Sequence, residues 1–404
     1  MTINLEVPKK FVPLVGQAHQ VAQEVLRPIS RKYDLAEHEY PKELDMLAAL
    51  IDGVDQGGGS SGAGAAGVSQ AEANGDGGNR NGSNMASVLS IIEMCWGDVG
   101  LLLTMPRQGL GNSAIAAVAD DEQKQRFAGK WAAMAITEPE AGSDSAAIRT
   151  TAVLDGDEYV LNGEKIYVTS GERAELVVVW ASLDPKAGRA AIKSFVVERS
   201  NPGLKLDRLE HKLGIRASDT AAFILDDCRV PKEDLLGSPE IDTTKSFAGA
   251  MRTFDNTRPL VAAMAVGLSR ACLEHTTEKL ADAGVEIDYD RPANAQHAAA
   301  AELLELEADY EAARLLTLEA AWMADNSKPN SLHASYAKAK AGRTCVDISL
   351  RCIALCGSAG LGEDELLEKW ARDAKILDIF EGTQQIQLLI IARQLLGLTS
   401  AQLK

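Results

Sequence analysis

The sequence predicts an α+β protein, mainly α, with an antiparallel β segment between two helical ones. Two observations carry this. The hydrophobic period shifts from three-to-four residues to two near Trp131 and returns to three-to-four after about Pro231. Strand-like segments do not alternate with helical ones, and no GxGxxG follows a strand, which excludes a Rossmann arrangement. The chain therefore divides into an N-terminal helical domain (1–130), a middle β domain (131–240) and a C-terminal helical bundle (241–404).

Residues 10–50 read as helices, with Phe11, Leu14, Val15 and His19 near one face and Val21, Val25 and Leu26 continuing the pattern to Pro28. Residues 53–84 are rich in Gly, Ser and Asn and nearly empty of large apolar side chains, too few to offset the entropy of ordering. They are expected to form a flexible loop, with a lid over a binding site as the functional alternative. Helix resumes from Met85 to about Gly129. The segments "AAIRTTAVLDGDEYVLNGEKIYVTS", "ELVVVWAS", "AIKSFVVER" and "AAFILDDCRV", punctuated by "DGDE", "NGE" and "SGE", read as strands and turns. Beyond them Leu303, Leu304, Leu306, Leu315, Leu316, Leu318, Trp322 and Met323 recur as a buried helical stripe.

Composition narrows the class. With 404 residues, 46% hydrophobic content and 13 prolines the chain can bury a large core. A net charge of −17 argues against nucleic acid or an anionic membrane as the main partner. The start "MTINLEVPKKFVPLV" lacks the apolar core of a signal peptide, and no stretch reads as the ~20-residue apolar run of a membrane span, so the expected location is the cytoplasm. Six scattered cysteines without CxxC pairs or nearby histidines read as buried thiols rather than a metal site or disulfides.

Three stretches could carry chemistry. "AMAITEPEAGSD" (133–144) leaves an apolar strand for a tight turn holding Thr137, Gly142, Ser143 and Asp144. Its N–H and hydroxyl groups suit an anionic or carbonyl-rich ligand, or simply satisfy the local backbone. "NGEKIYVTSGERAE" (162–175) presents Tyr167 and Thr169 on one strand face, fit to hold a planar heterocycle or to form a half-buried strand. "ILDIFEGTQQIQ" sets Glu381 between Phe380 and Gly382, either a base awaiting desolvation or a solvent-facing acid at a helix end.

Together these stretches resemble the acyl-CoA dehydrogenase family. Ala135, Ile136, Thr137, Glu138, Gly142, Ser143, Asp144 and Ala147 match its first signature. "DGDEYVLNGEKIYVTSG" is similar to its flavin-contacting hairpin, "FDNTRPLVAAMAVGLSRA" to its substrate-side helix and "EKWARDAKILDIFEGTQQIQ" to its C-terminal catalytic motif. The resemblance implies an N-terminal helical domain, a middle β domain and a C-terminal four-helix bundle, with FAD between the last two. It implies that Ile136, Thr137, Gly142, Ser143, Tyr167, Thr169, Thr383 and Gln385 contact the cofactor. Ser143, Phe254, Asp255, Arg258 and Gly382 are expected on the acyl-CoA side. Glu381 occupies the base position, taking the α proton while the β hydride leaves for the flavin. Some members place the base immediately before the arginine corresponding to Arg258; here Thr257 stands there and cannot serve. The expected product is a trans-2-enoyl-CoA, with electrons passed to an electron-transfer flavoprotein.

Departures matter too. Tyr167 stands where the family commonly has Trp. At an Arg-x-x-Phe-Gly segment whose arginine reaches the neighbouring subunit's flavin diphosphate, the best register gives Glu286 and Tyr289, with Arg291 a substitute nearby. The second signature begins with Ala354 instead of an acid or Gln, although Gly357, Ser358, Gly360, Asp364, Lys369 and Asp373 fit. The resemblance implies a tetramer; the two losses favour an α2β2 assembly with a sister subunit. Alternative readings are a non-catalytic or FAD-deficient partner subunit, and a flavin oxidase or monooxygenase on the same scaffold.

Overall fold

The structure, a computed structural model, describes residues 7–56, 80–107, 109–241, 248–399 and 402, the side chains at 50–56 and 248–256 excepted. The N-terminal helices are α1 (Val12–Val21), α2 (Arg27–Ala36), α3 (Glu43–Gln56), α4 (Ser83–Gly97), α5 (Val99–Leu103), α6 (Leu110–Val118) and α7 (Asp121–Arg126), with a π-turn at Ala22–Leu26 joining α1 to α2. Local chemistry sets several starts. The Asp98 carboxylate accepts from Leu101 N at 2.8 Å to cap α5, and Asp120 and Gln123 form a reciprocal capping box on α7.

The predicted loop at 53–84 is shorter at both ends. Helix α3 runs through Gln56 and α4 begins at Ser83, while 57–79 lie outside the described residues. The early start of α4 has a tertiary cause. The Asp325 carboxylate, 240 residues away, accepts from the backbone N–H groups of Gly82, Asn84 and Met85 at 2.6 to 3.0 Å, satisfying donors that a helix N-terminus leaves open.

The strands are β1 (Ala132–Ala135), β2 (Thr151–Asp155), β3 (Glu158–Thr169), β4 (Leu176–Ser182), β5 (Ile192–Glu198), β6 (Leu204–Leu209), β7 (Thr220–Pro231) and β8 (Leu235–Leu236). They form one sheet in the order β6-β7-β3-β2-β4-β5-β8, with β1 also on β4. The sheet is mixed, not antiparallel as predicted: β1 runs parallel to β4 from Ala132↔Leu176 to Ala135↔Val179, and β2 meets β4 in parallel at Thr151↔Ser182. The long excursion between β1 and β4 allows this, since parallel neighbours need a crossover rather than a hairpin. Strand β4 is buried along its length, as its unbroken apolar run requires. Val177, Val179 and Ala181 join one core, and Leu176 and Val178 join another with Ala114, Ile115 and Phe127.

Five helices follow in the described residues: α8 (Ala248–Asp282), α9 (Ala298–Asp325), α10 (Ser331–Cys356), α11 (Leu367–Leu377) and α12 (Gln384–Leu395). Their core is continuous with that of the N-terminal helices: Phe11, Leu26, Leu44, Val88 and Ile91 belong to one cluster with Leu260, Val266, Leu306, Ile348, Trp370 and Leu377. A buried charge cluster pins this junction, with Lys369 Nζ donating to Asp98 Oδ2 at 2.5 Å and Asp373 Oδ2 at 2.6 Å. The run Ser331–Leu361 is long and apolar enough to cross a membrane by composition, which the sequence reading did not foresee. In the fold it is the bundle helix packed against α8, α9, α11 and α12, and Lys338 and Ser349 are among its buried residues. The cysteines are free, and all but Cys356 are fully buried.

Candidate active site

Two groups of side chains stand out, one on the sheet and one in the bundle. The turn after β1 is tied to β3 by Ile166 N donating to Thr137 O at 2.9 Å. Beneath it Lys165 is fully buried, donating to Glu138 Oε1 at 2.7 Å and to Ile136 O at 3.2 Å. Glu138 also accepts from Arg149 N at 2.6 Å and Thr150 N at 2.9 Å. Burial pushes the Lys165 ammonium down to about 8 against the pull of Glu138. Burial also works against the Glu138 carboxylate, yet Lys165, the Arg149 N–H and the Thr150 hydroxyl hold it below its usual value. This network fixes the position of Ile136 and Thr137.

Strand β3 bulges against β7 between Lys165 and Val168, and Tyr167 sits at φ 57°. Val168 turns into the core while Tyr167 is 62% exposed and Thr169 half-buried, so the pair share the open side. The hydroxyls of Thr137, Ser143 and Thr169 make no hydrogen bond among the described residues, and Gly142 meets only Thr137 Cγ2, at 4.0 Å, where a Cβ would stand. Unspent hydroxyls beside an open aromatic face fit a planar, heteroatom-rimmed ring such as a flavin.

The second group gathers around Glu381. Between α11 and α12 the chain reverses through Glu381 at φ 58° and Gly382 at φ 87°. A glutamate in the left-handed region is strained, so the surrounding contacts must hold it there. Gln387 does so, its Nε2 donating to the carbonyls of Glu381 and Gly382 at 3.1 Å each. Thr383 caps α12 through its hydroxyl, which accepts from Ile386 N at 3.4 Å, and Gln385 is exposed. The Thr257 hydroxyl donates to Glu381 Oε2 at 2.9 Å, and Oε1 makes no hydrogen bond among the described residues. Burial raises the Glu381 pKa; the Thr257 bond, Arg258 and Lys338 oppose it. Arg258 is 3% exposed. Phe254 and Asp255 lie on α8, their side chains outside the described residues. No hydrogen bond or ion pair among the described residues joins this group to the sheet group.

Sequence reasoning missed Lys338 and Asp378, both buried beside Glu381. A signal existed: Lys338 shares a helix face with Ala334, Ala341 and Cys345, and a lysine on an apolar stripe needs a reason.

The family model for the acyl-CoA dehydrogenase middle domain matches residues 133–228, and that for the acyl-CoA dehydrogenase C-terminal domain matches 247–396. The chain belongs to the acyl-CoA dehydrogenase family. It is 32% identical over 316 residues to the short-chain specific acyl-CoA dehydrogenase of Clostridium acetobutylicum, covering 77% of this chain and 81% of that one. Its fold is similar to that of butyryl-CoA dehydrogenase from Megasphaera elsdenii, with a TM-score of 0.82, 27% identity, and 98% and 100% of the two chains covered. A chain from a study of the electron transferring flavoprotein of Acidaminococcus fermentans gives a TM-score of 0.81 at 29% identity, with 98% and 100% covered. The protein is thus a flavin-linked oxidoreductase of the acyl-CoA dehydrogenase family.

Proposed function

We propose that this protein carries out α,β-dehydrogenation of an acyl-CoA thioester to its trans-2-enoyl-CoA with Glu381 as the base. The observation that supports this reading best is the Glu381 turn: a partly buried carboxylate of raised pKa, one oxygen held by Thr257 and the other left for a proton. An α C–H beside a thioester is a weak acid, so its removal needs a positioned base of elevated basicity and donors for the developing oxyanion. Oε1 of Glu381 receives the proton. The backbone N–H of Glu381, which makes no hydrogen bond among the described residues, is free to donate to the thioester carbonyl. Gly382 keeps the turn open beside it, and Phe254, Asp255 and Arg258 on α8 meet the CoA portion, with Ser143 on the pantetheine. FAD, the form we assign, supplies the acceptor for the β hydride. Ile136, Thr137, Gly142, Ser143, Tyr167 and Thr169 hold it from the sheet, Thr383 and Gln385 from the bundle. An electron-transfer flavoprotein is the proposed acceptor from the enzyme, and the cytoplasm the proposed location. We keep the three domains 1–130, 131–240 and 241–404.

A second reading concerns assembly. Glu286 and Ala354 are both exposed on the bundle, as are Leu350, Leu361, Leu388 and Leu389, a surface suited to a neighbouring subunit. Tyr289 spends its hydroxyl on Glu307 at 2.9 Å, and among the described residues the Arg291 guanidinium reaches Asp288 alone, at 4.0 Å. A neighbour's flavin diphosphate would find an acid at Glu286 where the family offers arginine. This favours an α2β2 tetramer over a homotetramer. The deciding experiment is to purify the chain alone and with a sister chain, record the flavin spectrum, and add a panel of acyl-CoAs while watching for bleaching.

A further inference from the structure

The helix α10 carries a lysine into the bundle for which no structural contact accounts. Lys338 is 1% exposed, and its Nζ makes no hydrogen bond among the described residues. An ammonium stripped of water without a bonded partner is costly. A lysine serving only to fasten the bundle would close a bond to Asp378. Instead Asp378 Oδ1 is also buried with no hydrogen bond among the described residues, while Asp378 Oδ2 lies 3.6 Å from Lys375 Nζ.

Backbone packing explains how Lys338 is held. Gly342, one helical turn further along α10, seats against the end of α11 so closely that a Cβ there would meet Leu377 O at 2.6 Å and the Asp378 Cα at 3.2 Å. Residues four apart share a helix face, so this contact sets Lys338 beside the 378–382 reversal. The charged groups facing it are Asp378 and Glu381 from the reversal and Arg258 from α8; Lys375 stands behind Asp378, and Thr257 meets Glu381. Burial brings the lysine down to about 8, with the two acids opposing and Arg258 adding to the fall.

We propose that Lys338 is a positioning residue for proton abstraction, its buried ammonium keeping Glu381 ionised and ready until the thioester is bound. The proposal rests on the reading of Glu381 as the base. Once Glu381 has taken the α proton, Lys338 loses one of its two anionic neighbours, so the same contact that prepares the base favours returning it to the carboxylate. Loss of the lysine charge, by substitution or by pH above about 8, makes Glu381 harder to ionise.

The test reads Glu381 directly, without substrate. The infrared band of its protonated carboxyl is isolated by subtracting the Glu381→Gln spectrum and followed from pH 5 to 9 in the full-length chain and in Lys338→Met. The expected result is a midpoint about one unit higher in Lys338→Met, with Lys338→Arg near the parent. Midpoints of parent and Lys338→Met that coincide overturn the inference. Should Lys338→Met fail to fold, the coupling is read from the other side, since linkage is reciprocal. The carbon-13 resonance of Lys338, assigned by its loss in Lys338→Arg, then titrates lower in Glu381→Gln than in the parent, and an unchanged titration overturns the inference. Failure of the base reading looks different: Glu381→Gln still bleaches its flavin with acyl-CoA.

Discussion

Thr257 and Glu381, 124 residues apart, are joined by a 2.9 Å hydrogen bond that fastens helix α8 to the reversal between α11 and α12. The residue that stands where the resemblance places the base of some family members thus steadies the proposed base of this chain, and only one carboxylate oxygen is left without a hydrogen bond among the described residues.

Replacing that carboxylate by an amide keeps its shape and removes its basicity. Glu381→Gln should retain bound flavin and lose thioester-dependent bleaching by about 10²- to 10⁴-fold. Stopped-flow absorbance with the most active acyl-CoA measures this, and a variant within tenfold of the parent removes Glu381 from the role.

The same substitution should stabilise the fold. Burial raises the folded pKa of Glu381 above its unfolded value, so folding favours the protonated form. Its contribution is fully present below the unfolded pKa, near 4.5, and is lost as pH rises through the folded pKa. The Tm of Glu381→Gln should match the parent at low pH and exceed it increasingly as pH rises, levelling off once Glu381 is ionised. Calorimetry over pH 4 to 8 checks the sign.

Arg258 is buried beside Glu381 and lowers its pKa. Arg258→Ala should weaken acyl-CoA binding by about tenfold, the loss of one well-placed charged contact, and move the acid-side onset of bleaching to higher pH. Flavin content should not change. If flavin is lost instead, Arg258 belongs to the cofactor side.

Expressed alone, the chain should be poor in FAD or poorly soluble, and co-expression with a sister subunit carrying the missing arginine and glutamine should restore both. A soluble homo-oligomer with one FAD per chain and full activity refutes the α2β2 arrangement.

Periodicity made the segmentation legible, because a helix buried on one face and a strand buried on one or two faces write different repeats into the chain. Strand direction writes nothing, so the parallel pairing of β1 with β4 was not foreseen. Nor was the start of α4 at Ser83, which depends on Asp325 from the far end of α9. At the site, Phe380 and Gly382 marked Glu381 as a candidate, and the base role proposed for it came from the family resemblance. Its partners were not legible, since Thr257, Arg258 and Lys338 come to it from two other helices and no local pattern links them.

The shared core of the first and last helices has a consequence for synthesis. Leu26, Leu44 and Val88 share one core with Leu260, Ile348 and Leu377, and the entire sheet lies between them in the chain. A ribosome therefore releases the N-terminal helices long before their partners exist, at about 5–20 residues per second. The sheet has its own cores and can close first, while the early helices wait with apolar faces uncovered. Chaperone demand should be concentrated in that interval, and truncation before α8, the helix that packs on α4, should leave them permanently without cover.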